Sequence, residues 1–207
     1  MSHHTWIHRL ARITIVTPLI GSSVKPNHLT TLRLTTGICA AGFLAVGEPP
    51  WQHIGAGAFL LAMLLDRADG DYARLTGQTS RGGHIYDLVA DALCNALIFA
   101  GLGIGLRGGQ YGSQAILMGL IAGIAIGVIL WLVIRIEQLE GARAAELGSF
   151  SGFDPDDAMI IVPLCIWANV MEGLLVAAAV GTPAFAIFFN WFFRRKRSDL
   201  KIIKREG

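Results

Sequence analysis

DRADGDYARLTGQTSRGGHIYDLVAD, residues 66–91, carries five carboxylates, and four of them, Asp66, Asp69, Asp87 and Asp91, stand at helical spacing in a chain that is 53% hydrophobic and only 15% charged. On a helix Asp66 and Asp69 lie three residues apart and Asp87 and Asp91 four apart, so each pair shares one face. The polar segment between them, residues 75–82, is rich in Gly, Thr and Ser and reads as a turn. Two helices joined by so short a turn run antiparallel, with axes about 8–10 Å apart if they pack directly. Both acidic faces then converge on one small volume, where the carboxylates repel one another unless cations neutralise them. All-oxygen ligation suits hard ions such as Mg²⁺ or Mn²⁺, and no His or Cys accompanies the acids at zinc-ligand spacing. Two such ions would balance four carboxylates and still attract a diphosphate.

The surrounding chain is that of an all-α integral membrane protein. At 207 residues one domain is expected, and the charged fraction falls well below the roughly 25% of a soluble domain. Apolar runs near the roughly 20 residues needed to span a bilayer recur at about 27–46, 54–66, 84–106, 113–136, 158–169 and 174–193, which predicts six transmembrane helices. Residues 1–23 interleave His4, His8, Arg9 and Arg12 with Trp6, Ile7, Leu10 and Ile13, the pattern of an amphipathic helix lying in the membrane interface up to Pro18. A signal peptide is the rival there, weakened by a short apolar run without an A-x-A site. The parts are then an interfacial helix over 1–23, a six-helix transmembrane domain over 24–195 that carries the acidic stretch, and a basic tail over 196–207. Pro26 suits the first turn of the first span, with Asn27 or Thr30 as its cap. Cys39, Cys94 and Cys165 fall in apolar stretches and read as reduced packing residues.

Lysine and arginine set the orientation. With the N-terminus cytoplasmic, Arg9, Arg12, Lys25, Arg67, Arg74, Arg81, Arg135 and Arg143 face the cytoplasm, as does the cluster from Arg194 to Arg205. The other side receives only Arg107. Both termini and the acidic stretch are therefore expected on the cytoplasmic side of the plasma (inner) membrane. The terminal basic run reads as lipid contact rather than nucleic-acid binding. Arg33, inside the first span, should point into the active-site cavity or snorkel to the interface.

Written as a pattern, the stretch is D-x2-D-G-x2-A-R-x8-G-x3-D-x3-D, carried by Asp66, Asp69, Gly70, Ala73, Arg74, Gly83, Asp87 and Asp91. It resembles the defining motif of the CDP-alcohol phosphotransferases (CDP-alcohol phosphatidyltransferases), integral-membrane enzymes that make phospholipid head-group linkages. P-N-x-L-T-x2-R, from Pro26 to Arg33, also resembles the segment opening that family's first membrane helix, beside the nucleotide site. The resemblance implies that Asp66, Asp69, Asp87 and Asp91 hold two divalent cations, Mg²⁺ or Mn²⁺, and that Asp91 is the general base. It implies that Asp69, Gly70, Ala73, Arg74, Asn27 and Thr30 bind the CDP moiety, with Arg74 on the diphosphate. Gly83, with Gly82, would let the second and third spans approach closely. The implied reaction transfers a phosphatidyl group from a CDP-linked lipid, CDP-diacylglycerol in particular, to an alcohol acceptor, releasing CMP. A homodimer is implied both by the family and by the Gly/Ala-rich spans.

The acceptor is left open among serine, glycerol phosphate, inositol phosphate and an amino alcohol. Arg135 could hold a phosphate or carboxylate on it, or serve as an interface anchor. Asp156 and Asp157 read as helix caps. His84 has no assigned role. Two other functions fit less: an aspartate-rich prenyl-diphosphate transferase needs a second acidic motif, and a divalent-cation transporter does not require Gly70, Ala73 and Arg74 in register.

Overall fold

The computed structural model describes residues 6–140 and 159–206, with side chains from His8 to Leu139 and from Met159 to Arg195. His4, the caps expected at Asp156 and Asp157, Arg143, and the side chains of the basic tail lie outside the described residues. Every element described is helical. A short α1 (Trp6–Ala11) passes through a wider π turn at Arg12–Val16 into α2 (Thr17–Leu19). Long helices follow: α3 (Pro26–Val46), α4 (Pro49–Leu75), α5 (Arg81–Gly105) and α6 (Gln114–Glu140), then the seven-residue α7 (Ile161–Trp167) and α8 (Met171–Glu206). Four of these, over Pro26–Val46, Arg81–Gly108, Gln114–Leu139 and Met171–Arg195, are long and apolar enough to cross a membrane.

The other two predicted crossings differ from those four for reasons visible in their residues. Helix α4 has 27 residues and is about 40 Å long, but Gln52 and His53 at one end and Asp66, Arg67, Asp69 and Asp71 towards the other dilute its apolar run. Helix α7 reaches only about 10 Å, against a hydrocarbon core of about 30 Å. Helix α8 is instead longer than the expected last span, running through the basic tail as one 36-residue helix.

Local signals explain the helix ends. Helix α3 starts with Pro26 at its first position, where a missing N–H costs nothing. Neither Asn27 nor Thr30 caps it. The cap is Lys25, whose N–H donates to His28 Nδ1 at 3.3 Å, while Thr30 donates to the Pro26 carbonyl. Gly47, at φ 85°, takes the left-handed conformation that ends α3, and Pro49 restarts the chain as α4. Ser80 caps α5 by accepting from the Gly83 N–H at 3.0 Å. At the N-terminus Pro18 sits in the first turn of α2, so the helix continues through it to Leu19 rather than stopping.

Helices α4 and α5 do not pack directly along their length, as the turn between them had suggested. Helix α3 lies between them and packs against both. The α3–α5 crossing is close because small residues face each other: a Cβ on Gly101 would collide with the Ala41 carbonyl, and one on Gly37 with Cys94. From α5 the packing continues to α6 and from α6 to α8, while α7 lies on α4. The core is shared by six helices, through Ala40, Leu44, Phe59, Ile98, Ala122, Ile166 and Ala178. The N-terminal helix rests on the acidic end of α4, where Ala11 and Val16 pack with Leu29, Leu65, Ala68 and Tyr72.

Candidate active site

All four aspartates converge, and the hub is a residue of α3. Arg33 is 2% exposed. One of its terminal nitrogens, Nη1, donates to Asp66 and to Asp87 Oδ1, the latter at 2.7 Å, and lies 4.0 Å from Asp69 Oδ2. The other, Nη2, lies 3.3 Å from Asp91 Oδ1 and donates to the Asp87 carbonyl. The insertion of α3 between α4 and α5 thus brings the two acidic faces together around one guanidinium. Arg67 adds a second positive charge, donating to Asp66 Oδ2 at 2.6 Å.

Three of the acids form a tighter group. Asp66, Asp69 and Asp87 each offer an oxygen, and the three oxygens lie within 4.8 Å of one another. Asp69 Oδ2 is buried and accepts no hydrogen bond, so one lone-pair site remains for a ligand. Hard carboxylate donors this close, with an orphaned buried oxygen, fit a divalent cation. Asp91 stands outside this trio. Its side chain is 47% exposed, and its Oδ2 accepts from Asn95 Nδ2 at 3.1 Å.

A cavity of about 640 Å³ opens beside the trio. Asn27, Thr30, Asp69, Gly70, Ala73, Arg74, Gly83 and Asp87 all line it, so every residue expected around CDP faces one space. A Cβ on Gly70 would lie 3.3 Å from the Arg74 guanidinium, so a larger residue there would shift that side chain by a few tenths of an ångström. Gly83 serves a different pair from the one expected: its missing side chain leaves room for Asn27 of α3, at 3.4 Å, while Gly82 faces open space. A separate, smaller recess is lined by Arg33, Asp66, Arg67, Asp91, Asn95 and Met159, among others.

Several partners had no assigned role in the sequence. His84 Nε2 pairs with Glu137 Oε2 at 3.0 Å, joining α5 to α6 at the cavity wall. Asn95 carries a readable signal, one helical turn after Asp91. Asp71, inside the acidic stretch, pairs with Arg74 and His8. Arg135 is exposed, stacks over the Trp131 ring at 5.0 Å, and does not line the cavity, although Ile134, Glu137 and Gln138 beside it do.

Comparison with known proteins gives concordant results. The model of the CDP-alcohol phosphatidyltransferase family matches residues 23–188. The bifunctional IPC transferase and DIPP synthase of Rubrobacter xylanophilus is 30% identical over 84 residues, 41% of this chain. The match covers only 19% of that longer protein. Three crystal structures of Mycobacterium tuberculosis phosphatidylinositol phosphate synthase share the fold. The apo form gives a TM-score of 0.62 at 21% identity, covering 86% of this chain and 94% of the synthase. The form with CDP-DAG bound gives 0.63 at 21%, over 90% and 94%. The complex with manganese and citrate gives 0.63 at 23%, over 89% and 88%.

Proposed function

The chain belongs to the CDP-alcohol phosphatidyltransferase family, a family of transferases of substituted phosphate groups, and on that premise we propose that it moves a phosphatidyl group from a CDP-linked lipid, CDP-diacylglycerol first, to an alcohol. One observation carries the reading: two of the carboxylate trio, Asp69 and Asp87, line a cavity whose walls also include Asn27, Thr30, Gly70, Ala73 and Arg74, with Asp66 close behind them. The walls are small or polar where a nucleotide must enter, and the acids stand where its diphosphate would lie.

Asp66, Asp69 and Asp87, with Asp91 completing the set, would hold two divalent cations, Mg²⁺ or Mn²⁺. When bound, these would supply charge neutralisation at the diphosphate and at the entering and departing oxygens. Arg74 would donate to the diphosphate with its fork of N–H groups. Thr30 and Asn27 line the part of the cavity on α3 and would meet the nucleotide. Asp91, reaching into the smaller recess with one oxygen fixed by Asn95, would take the proton of the acceptor hydroxyl. The freed oxygen attacks the lipid-bearing phosphorus. A new P–O bond forms, the bond to the bridging oxygen of CMP breaks, and CMP leaves with that oxygen's negative charge. Arg135, exposed and stacked over Trp131 outside both recesses, would serve as the interface anchor rather than as a contact to the acceptor.

Six crossings would count α4 and α7 with the four long apolar helices. The N-terminal helix would lie at the interface, both termini and the acid cluster would face the cytoplasm at the plasma membrane, and the enzyme would work as a homodimer among membrane lipids.

The test is CMP release by purified protein from CDP-diacylglycerol with serine, glycerol phosphate, inositol phosphate or an amino alcohol, with Mg²⁺ or Mn²⁺ present. Release with one acceptor, lost on chelation, is expected. Cation flux into vesicles with no CMP from any acceptor would overturn the reading in favour of a transporter.

A further inference from the structure

Arg74 sits on the last turn of α4 and its side chain is 34% exposed. A long side chain in that setting samples many rotamers, and ordering it costs conformational entropy. Here it is held. Its Nη2 donates to Asp71 Oδ1 at 2.6 Å. Gly70 has no side chain to push the guanidinium away. An exposed pair three residues apart would be weak and mobile, but Asp71 is itself fixed, with its side chain only 13% exposed. Its other oxygen faces His8 Nδ1 of α1 at 3.6 Å, and the His8 side chain is 10% exposed.

The N-terminal segment that carries His8 is fastened to the same end of α4. Ala11 and Val16 pack on Leu65, Ala68 and Tyr72. The Tyr72 hydroxyl lies 3.2 Å from the Leu19 carbonyl and 3.0 Å from the Val24 carbonyl, closing the chain that joins α2 to α3. Tyr72 follows Asp71 directly in sequence, so one stretch of α4 holds both the N-terminal segment and the arginine of the cavity.

We propose that Asp71 is the positioning residue that aims Arg74 at the donor's diphosphate, and that the packing of His8 beside Asp71, together with the Tyr72 bonds to Leu19 and Val24, couples this pair to the N-terminal segment, making the seat of that segment part of the donor site. The inference rests on reading Arg74 as a diphosphate contact. Charge makes it separable from a field effect. Asp71 is an anion near the place where an anionic donor binds, so removing its charge alone would strengthen donor binding. Loss of positioning does the opposite.

Kinetics of the full-length enzyme with a CDP-lipid donor decide the matter. Asp71→Asn should raise the donor KM by about tenfold, the scale of one charged hydrogen bond, while kcat and the acceptor KM stay near wild type. Asp71→Glu should recover part of the loss. Tyr72→Phe leaves Asp71 and Arg74 in place and keeps the apolar packing but removes the hydroxyl's hold on the Leu19 and Val24 carbonyls, loosening the N-terminal segment, and should raise donor KM by about two- to fivefold. That variant keeps the inference testable if Asp71→Asn does not fold. If Arg74→Ala raises donor KM but Asp71→Asn or Tyr72→Phe leaves it unchanged or lower, the positioning role is overturned and the diphosphate role of Arg74 stands. If Arg74→Ala itself has no effect on donor KM, the underlying reading of the cavity fails.

Discussion

Arg33 Nη1 donates to Asp87 Oδ1 at 2.7 Å from a helix wedged between the two that carry the acidic motif. The contact makes α3 the keystone of the site, since the same guanidinium also reaches Asp66 and Asp91. Four carboxylates in a mostly apolar bundle are tolerable only with positive charge among them. Arg33 and Arg67 supply that charge from the protein itself, and divalent ions are proposed to supply the rest.

Arg33→Met should therefore destabilise the cation-free protein, by less than the roughly 3–5 kcal/mol of a fully buried pair, because it strands buried Asp69 and partly buried Asp66 while Asp87 and Asp91 regain some solvent. Millimolar Mg²⁺ or Mn²⁺ should recover more Tm in the variant than in wild type. Thermal unfolding in detergent, with chelator and with added cation, measures both. Equal cation-induced shifts in the two proteins would mean that Arg33 and the cations do not act on the same carboxylates.

Asp91→Asn should preserve fold and donor binding while cutting CMP release by about 10²–10⁴-fold, the usual contribution of a positioned general base. The amide has nearly the same shape and can keep a hydrogen bond with Asn95, so structure is little disturbed. Turnover by the purified variant, alongside CMP binding by calorimetry, separates the two effects. Near-normal turnover would remove Asp91 from the base role.

The crossing of α3 and α5 should be as sensitive as the acids. A Cβ on Gly101 would run into the Ala41 carbonyl, and backbone on that side cannot give way as a flexible side chain could. Gly101→Ala should lower stability by about 1–3 kcal/mol through overpacking. Gly57→Ala, on a helix surface with nothing within 4 Å of the new methyl, is the control and should leave Tm within a degree or two or raise it slightly.

Much of this site was legible because it is written in one contiguous stretch. Asp66, Asp69, Asp87 and Asp91 declare their faces through helical spacing alone, and Gly70, Ala73 and Arg74 stand at fixed offsets from them. Less legible was what comes between the two helices. A short turn implies antiparallel neighbours, but nothing in residues 66–91 shows that α3 separates them, because that depends on Gly37 and Gly101 meeting residues some 50 to 60 positions away in sequence. Arg33 could be expected to avoid lipid, and it does. Its sharing among four acids needed the packing of three helices. The pairing of His84 with Glu137 likewise joins α5 to α6, a contact for which neither residue's local pattern gives a sign.

Asp69→Asn should give the sharpest separation between stability and chemistry. Asp69 is 3% exposed, and its Oδ2 receives no hydrogen bond, whereas Asp66 and Asp87 are both bonded by Arg33. Its charge is thus the least compensated by the protein. Neutralising it removes repulsion from the cluster, and the new amide N–H can donate to a neighbouring carboxylate. In chelator the variant should be at least as stable as wild type, with Tm equal or a few degrees higher. Added Mg²⁺ or Mn²⁺ should no longer raise Tm, and CMP release should fall below detection, because the buried oxygen proposed to bind the cation has lost its charge. A variant that is destabilised in chelator yet still gains stability from cations would show that Asp69 is held for packing, and that the ions bind elsewhere.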